Sequence, residues 1–166
     1  VIYLRKTLGI RTDLDLRTPL ETALMKTSPL GKSVKLILHS SEQYKGVFTP
    51  EGKRNVAENF RVFTDRDNYP IYFHCIAGAD RTGTLAYLLN CVLGVSRHDA
   101  ETDWESTFYP AFPKERDGIL GEVHFYNGIS AYGKADDTWQ HRVELYLLDC
   151  GITKKEIDIF REIMLK

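Results

Sequence analysis

The alternation of hydrophobic and polar positions predicts three strands in the first half of the chain. Polar and apolar residues alternate from Arg11 to Leu16, as they do in a half-buried strand. The stretch from Ser33 to His39 is rich in branched apolar residues and predicts a second strand. A third stretch, Ile71 to Phe73, is short and wholly apolar, which is typical of the middle of a parallel sheet.

Capping residues predict helices between and after these strands. Thr18 and Glu21 have the spacing of a capping box, and the proline between them suits a first helical position. Thr49 and Pro50 form another helix start, and we expect this helix to run to about Thr64. Four further helices are predicted. The first follows the segment Gly78 to Gly83 and ends at Leu93, and the second starts at Ser96. The third runs from about Asp137 to Cys150, and the last starts at Thr153.

Two other segments give weaker signals. Tyr3 to Leu8 has the pattern of a helix end, and because the chain starts at Val1 we expect an upstream segment or strand to be missing. Pro110 to Lys134 mixes glycines, prolines and aromatic residues without a clear period, so we expect a long, partly helical excursion. Its length makes it a candidate lid over a site, although its apolar residues could equally pack as core.

The order of these elements predicts the fold class. Strands that alternate with helices, followed by helices alone, are typical of an α/β fold. We expect a central, mostly parallel sheet of about four to five strands flanked by helices. The chain has 166 residues and no linker-like stretch, so we expect a single domain over residues 1–166.

Charge and composition exclude several function classes. The 22 basic and 23 acidic side chains nearly cancel, which argues against a dedicated binder of nucleic acid or of anionic membranes. No apolar run approaches the roughly 18 residues that a membrane span needs. The three widely spaced cysteines fit neither a fully paired disulfide framework nor a zinc site. We expect a soluble protein, with cytoplasmic and exported locations both open.

The segment from His74 to Gly83 carries the clearest chemistry. It joins a predicted strand to a predicted helix, so the loop N–H groups and the positive end of the helix should converge on one anion. The Arg81 guanidinium would place a planar fork of donors over two oxygens of a bound phosphate. Cys75 lies in the same positive field, so we expect its pKa to fall below the free value of about 8.5. A thiolate held in a phosphate-binding loop is a nucleophile directed at phosphorus.

This segment resembles the Cys-x5-Arg signature of the cysteine-dependent protein tyrosine phosphatase superfamily. The shared positions are His74, Cys75, Gly78, Arg81, Thr82 and Gly83. Asp80, directly before the arginine, makes the segment similar to an atypical bacterial branch of tyrosine and dual-specificity phosphatases. The stretches Leu8 to Arg17 and Tyr146 to Thr153 also resemble that branch. The resemblance implies a tyrosine-phosphatase-like sheet and a phosphate monoester hydrolase.

The resemblance also implies roles for the residues of the loop. Cys75 would attack phosphorus and form a phosphocysteine, while Arg81 would clamp the phosphate oxygens. Asp80 would protonate the leaving oxygen and later activate water. Glu42 stays open as the alternative acid, since many relatives carry an aspartate in that upstream region and this chain has none there. The expected phosphate-binding loop comprises Ile76, Ala77, Gly78, Ala79, Asp80 and Arg81.

Neighbouring residues are expected to support this loop. His74 would hold the backbone of Cys75, and Thr82 would donate a hydrogen bond to the sulfur. Arg17, at the end of the first strand, would brace the loop, touch the substrate or form an ordinary ion pair. Asp15 lies near the same sheet edge and is a further candidate. We expect no metal and no cofactor, because the histidines show no metal-ligand spacing.

The loop fixes the reaction better than the substrate. We expect a phosphorylated protein or a small phosphate ester, with phosphotyrosine favoured because the loop has no lysine and carries Ala79 where lipid-acting relatives often have one. A phosphoinositide or inositol polyphosphate phosphatase is one alternative, and a catalytically inactive phosphate-binding module is another. An arsenate reductase would need a partner cysteine, and Cys91 is poorly placed for that on the predicted helix. The oligomeric state is not predicted.

Overall fold

A small parallel sheet forms the centre of the molecule. The computed structural model describes residues 1–106, 119–122 and 124–166. Its strands are β1 (Thr12–Asp15), β2 (Lys35–Leu38) and β3 (Ile71–His74), all parallel and in the order β2-β1-β3. The predicted α/β class with a parallel sheet flanked by helices is confirmed. The described residues form three strands, fewer than the expected four to five, because only the three segments with a strand pattern form strands.

Helices account for most of the remaining described residues. Short helical turns occur at Tyr3–Thr7, Tyr44–Phe48 and Arg66–Asn68. The longer helices are α1 (Pro50–Val62), α2 (Asp80–Val92), α3 (Arg97–Ser106), α4 (Ile119–Glu122), α5 (Phe125–Ser130), α6 (Trp139–Asp149) and α7 (Lys154–Met164). None of the helices in the described parts of the chain has the length and apolar character needed to cross a membrane.

The predicted capping residues start three of these helices. The Thr49 hydroxyl accepts from the N–H of Gly52 at 3.0 Å, which caps α1. The Ser96 hydroxyl accepts from the third N–H beyond it at 3.0 Å, at the start of α3. A complete capping box joins Thr153 and Glu156 at the start of α7. Local side-chain chemistry therefore determines where these helices begin.

The helix predicted to start at Thr18 is wrong, because residues 19–24 form turns. The capping contact itself is present, since the Thr18 N–H donates to the Glu21 carboxylate at 2.7 Å. Leu20 and Leu24 are 89% and 94% exposed, so the segment has no buried apolar face of the kind that stabilises most protein helices. Glu21 instead bonds to a residue of α2, as described below.

The two faces of the sheet differ in polarity. Leu14 and Phe73 pair in register and lie on the apolar face, where the Phe73 ring packs edge-on against Phe63 at 5.4 Å. Asp13 and Asp15 lie on the opposite face and are also buried, so β1 is fully buried, in contrast to the half-buried strand predicted. The second face is therefore a buried polar surface, and its residues reach the carboxyl edge of the sheet.

The segment Pro110 to Lys134 is described only in part, because residues 107–118 and 123 lie outside the described residues. Within the described part, Leu120, Phe125 and Ile129 are almost fully buried. The Phe125 ring packs against Tyr87 of α2 with the ring centres 5.3 Å apart. These residues of the segment contribute to the core.

Candidate active site

The site lies where β3 ends and α2 begins. Residues 75–79 join His74, the last residue of β3, to Asp80, the first residue of α2. Gly78 has a φ of +73°, a backbone conformation that a side chain would strain. The N–H of Leu16, just beyond β1, donates to the His74 carbonyl at 2.8 Å, which brings the ends of the two strands together. The loop therefore lies at the carboxyl edge of a parallel sheet, where ligands of such sheets commonly bind.

Cys75 lies at the base of the loop with 7% of its surface exposed. Burial raises the pKa of its thiol, but the nearby side chain and the backbone N–H of Thr82 oppose this effect. The backbone N–H groups of Gly78 and Ala77 add to the opposing effect. The balance lowers the pKa of Cys75 below its ordinary value, in the direction that the sequence predicted.

The other predicted loop residues differ in exposure. Ile76 is 71% exposed, while Ala79 is fully buried. The Ala79 carbonyl accepts the N–H of Gly83 at 2.9 Å, so this residue caps α2 through its backbone. The loop therefore exposes the apolar Ile76 side chain and buries Ala79.

Arg81 forms a bidentate ion pair with Glu21, which lies in the turns of residues 19–24. Its Nη1 and Nη2 atoms lie 2.7 and 3.0 Å from the two carboxylate oxygens. Hydrogen bonds from Arg81, and secondarily from Thr18, lower the pKa of Glu21 to about 2. The guanidinium also interacts with Cys75, so it lies between the thiol and the Glu21 carboxylate. Sequence reasoning missed Glu21 as a site residue, because its spacing indicated only a helix cap.

Asp80 is held by Tyr44. The Tyr44 hydroxyl donates a hydrogen bond to Oδ1 of Asp80. The Thr84 hydroxyl, one turn along α2, donates to the Asp80 carbonyl at 2.8 Å. The alternative acid, Glu42, is exposed. Its carboxylate lies beside Gly46 of its own segment, so close that a side-chain carbon on Gly46 would be 2.8 Å from it. Sequence reasoning also missed Tyr44, which is 36 residues from its partner.

His74 connects the loop to the polar face of the sheet. Its Nδ1 lies 2.8 Å from the Cys75 carbonyl and its Nε2 lies 3.0 Å from a carboxylate oxygen of Asp13. Both partners accept hydrogen bonds, an arrangement that favours the doubly protonated, positively charged imidazole. The hydrogen bond to Asp13 is the main cause that raises the pKa of His74, against the lowering effect of burial. The predicted contact with the Cys75 backbone is present, and Asp13 is an unforeseen part of it.

Arg17 lies beside this network without touching the loop backbone in any described contact. Its Nη2 is 2.6 Å from the carboxylate of Asp15, which is fully buried. Burial raises the pKa of Asp15, but the hydrogen bonds from Arg17 outweigh that effect and lower it. Of the three roles that the sequence left open for Arg17, the structure supports an ion pair, partly buried, with Asp15.

The two other cysteines have the opposite chemistry. Burial raises the pKa of Cys91 and of Cys150 to about 12 in each case. Their thiols are therefore protonated at neutral pH and unreactive as nucleophiles. Only the thiol in the loop has its pKa shifted downward among the described cysteines.

Chemically, the site joins a thiol of lowered pKa, converging N–H donors, a guanidinium and a carboxylate. Donors of this kind bind an oxyanion, and the thiolate lies within the same loop. Among the described residues, no cluster of histidine, cysteine and acidic side chains has the arrangement of a metal site.

Comparison with known proteins places the chain in a family. The model described as "Tyrosine phosphatase family" matches residues 1–117, which include all three strands, the loop and α2. No curated protein matches the chain. The match covers 117 of 166 residues and ends before α4. This chain is therefore a member of the tyrosine phosphatase family, and the activity that this membership supports is that of a phosphatase.

Proposed function

We propose that the protein is a cysteine-dependent phosphate monoester hydrolase of the protein-tyrosine or dual-specificity type. The observation that carries the proposal is the Cys75 thiol, whose pKa is lowered by hydrogen bonds within a loop that also presents Arg81. The spacing Cys75 to Arg81 matches the Cys-x5-Arg signature, and Asp80 within it resembles the atypical bacterial branch. Membership of the tyrosine phosphatase family supports the same reaction class.

In the first step of the proposed reaction, the Cys75 thiolate attacks phosphorus. A sulfur–phosphorus bond forms as the bond from phosphorus to the leaving oxygen breaks. Asp80 gives its proton to that oxygen, so the product leaves as a neutral alcohol or phenol. Arg81 and the loop N–H groups stabilise the charge on the equatorial oxygens.

In the second step, water attacks the phosphocysteine. The Asp80 carboxylate takes a proton from the water, and the sulfur–phosphorus bond breaks to release inorganic phosphate. The electron pair returns to Cys75, whose thiolate is stabilised by Thr82. The enzyme is then ready for another cycle without any cofactor.

The balance of charge near the loop supports singly phosphorylated substrates. Arg81 is paired with Glu21 and Arg17 with Asp15, so the two nearest described guanidinium groups are already compensated. An inositol polyphosphate would need further cations to offset its charge. We therefore favour phosphotyrosine, with phosphoserine and phosphothreonine as possible additional substrates.

The proposed nucleophile is tested by hydrolysis of para-nitrophenyl phosphate. We expect Cys75→Ser to abolish turnover, while Cys150→Ser, a matched control at a thiol of raised pKa, retains it. Circular dichroism would verify that both variants fold. If Cys75→Ser keeps the parent rate, the mechanism is wrong. If the folded parent binds vanadate but hydrolyses nothing, an inactive phosphate-binding module is the better description.

A further inference from the structure

The Tyr44 side chain contacts the proposed acid directly. Its hydroxyl donates a hydrogen bond to Oδ1 of Asp80. The Tyr44 N–H also donates to the Thr84 hydroxyl at 3.4 Å, and that hydroxyl donates to the Asp80 carbonyl. Two contacts therefore connect Tyr44 to the first turn of α2.

The backbone of Tyr44 is strained in the position that makes this contact. Its φ is +51°, in the left-handed region that bulky side chains rarely adopt. Such strain persists only where the surrounding contacts hold it, and it is concentrated at functional sites. Here the strained residue begins a helical turn, Tyr44–Phe48, and directs its side chain to the loop.

The packing around Tyr44 limits its movement. Its ring lies edge-on to Trp104, with the ring centres 5.9 Å apart. The Trp104 ring in turn lies against Gly83 of α2, so closely that a side-chain carbon on Gly83 would approach within 2.7 Å. The ring is thus fixed between α2 and α3 while the hydroxyl points at Asp80.

We propose that Tyr44 is a positioning residue that determines which oxygen of Asp80 carries the transferred proton. Because Tyr44 donates to Oδ1, that oxygen is an acceptor, and the proton of the neutral acid resides on Oδ2. Tyr44 thereby orients Oδ2 for proton transfer to the leaving oxygen. This inference rests on the proposed role of Asp80 as the general acid.

The effect of Tyr44 should depend on the leaving group. A phenol leaves poorly without a proton, whereas para-nitrophenolate leaves readily as an anion. We expect Tyr44→Phe, which keeps the ring, to lower kcat/KM for phenyl phosphate by about tenfold, the equivalent of one hydrogen bond. For para-nitrophenyl phosphate, kcat/KM should change by less than about threefold, since proton transfer contributes less there.

A double variant separates positioning from packing. With Asp80→Asn already in place there is no acidic proton to orient, so adding Tyr44→Phe should leave kcat/KM for phenyl phosphate almost unchanged. The matched control is Tyr69→Phe, since the Tyr69 hydroxyl bonds to the Phe63 carbonyl, before β3 and away from the loop. Tyr69→Phe should leave the ratio of kcat/KM for phenyl phosphate to kcat/KM for para-nitrophenyl phosphate at the parent value.

The outcomes distinguish this inference from the proposed function. If Tyr44→Phe lowers kcat/KM for both substrates equally, or still lowers it alongside Asp80→Asn, Tyr44 is only a packing residue and the inference is overturned. If Asp80→Asn alone has no leaving-group-dependent effect, the role of Asp80 fails and the inference fails with it. Activity in Cys75→Ser would overturn the proposed function itself.

Discussion

The pKa of Cys75 is controlled by hydrogen-bond donors and not by contact with solvent. Its thiol is nearly buried, and burial alone would favour the neutral form. Burial has this effect on Cys91 and Cys150, since it raises the pKa of each thiol to about 12. Cys75 differs because the N–H groups of its loop and the Thr82 side chain converge on the sulfur. The local backbone thus makes one of three cysteines chemically distinct.

Replacing the Thr82 hydroxyl should raise the pKa of Cys75. Thr82→Val keeps the shape of the side chain and removes the hydroxyl group that lowers the pKa of Cys75. Alkylation of Cys75 by iodoacetate, followed across pH, should therefore show a midpoint at higher pH in Thr82→Val than in the parent. Thr82→Ser, which retains the hydroxyl, should keep the parent midpoint. An unchanged midpoint in Thr82→Val would remove Thr82 from the account.

The sequence indicated the candidate catalytic residues but not the side chains that contact them. Cys75, Asp80 and Arg81 were identified because they occupy one short segment with a recognisable spacing. Glu21 and Tyr44 were not, since they lie 60 and 36 residues from the side chains that they contact. Such long-range partners depend on how the strands and turns pack, which spacing along the chain does not reveal. The catalytic roles themselves stay predictions.

At the scale of elements, capping patterns were reliable where the following segment could bury a face. Thr49 and Thr153 cap helices that place aromatic residues in the core, such as Phe60 and Phe160, whose rings lie 5.2 Å apart. Thr18 has equally good capping chemistry and starts no helix, because its segment has exposed leucines and is held by Arg81. A cap marks a possible helix start, and tertiary packing decides whether the helix forms.

The junction of α1 with the Tyr44–Phe48 turn should be sensitive to one added carbon. A side-chain carbon on Gly52 would lie 2.1 Å from the Gly46 carbonyl oxygen, so backbone must move in Gly52→Ala. We expect a loss in free energy of unfolding of about 1–3 kcal/mol, measured by urea denaturation. Gly121→Ala is the matched control, because among the described residues its new carbon meets Tyr126 alone, at an ordinary 3.6 Å. Equal stability of the two variants would contradict the close packing described here.

At the scale of the whole molecule, charge is nearly neutral overall and is compensated locally at the site. The formal net charge is −1, and Arg81 and Arg17 each have an acidic partner. The site can therefore bind an anion through converging donors without a strongly positive surface around it. This distribution is consistent with the proposed preference for small monoesters and phosphopeptides over highly charged polyphosphates.

Removing the negative charge of Glu21 should strengthen anion binding. Glu21→Gln leaves the positive charge of Arg81 uncompensated, so vanadate should bind more tightly, by about three- to tenfold at low salt and less at high salt. Glu101→Gln, which alters an equivalent pair with Arg97, should not change vanadate binding. Competition of vanadate with substrate gives the dissociation constants. Weaker binding in Glu21→Gln would instead indicate that Glu21 is needed to hold Arg81 in place.

Trapping the phosphocysteine intermediate would show directly whether Cys75 carries the phosphoryl group during turnover. The parent enzyme would be mixed with para-nitrophenyl phosphate, quenched in acid within a turnover, digested and examined by mass spectrometry. We expect one added phosphoryl group on the peptide that contains Cys75, and none in Cys75→Ser. Turnover by a protein whose phosphoryl group is found on another residue, or by Cys75→Ser itself, would contradict this expectation.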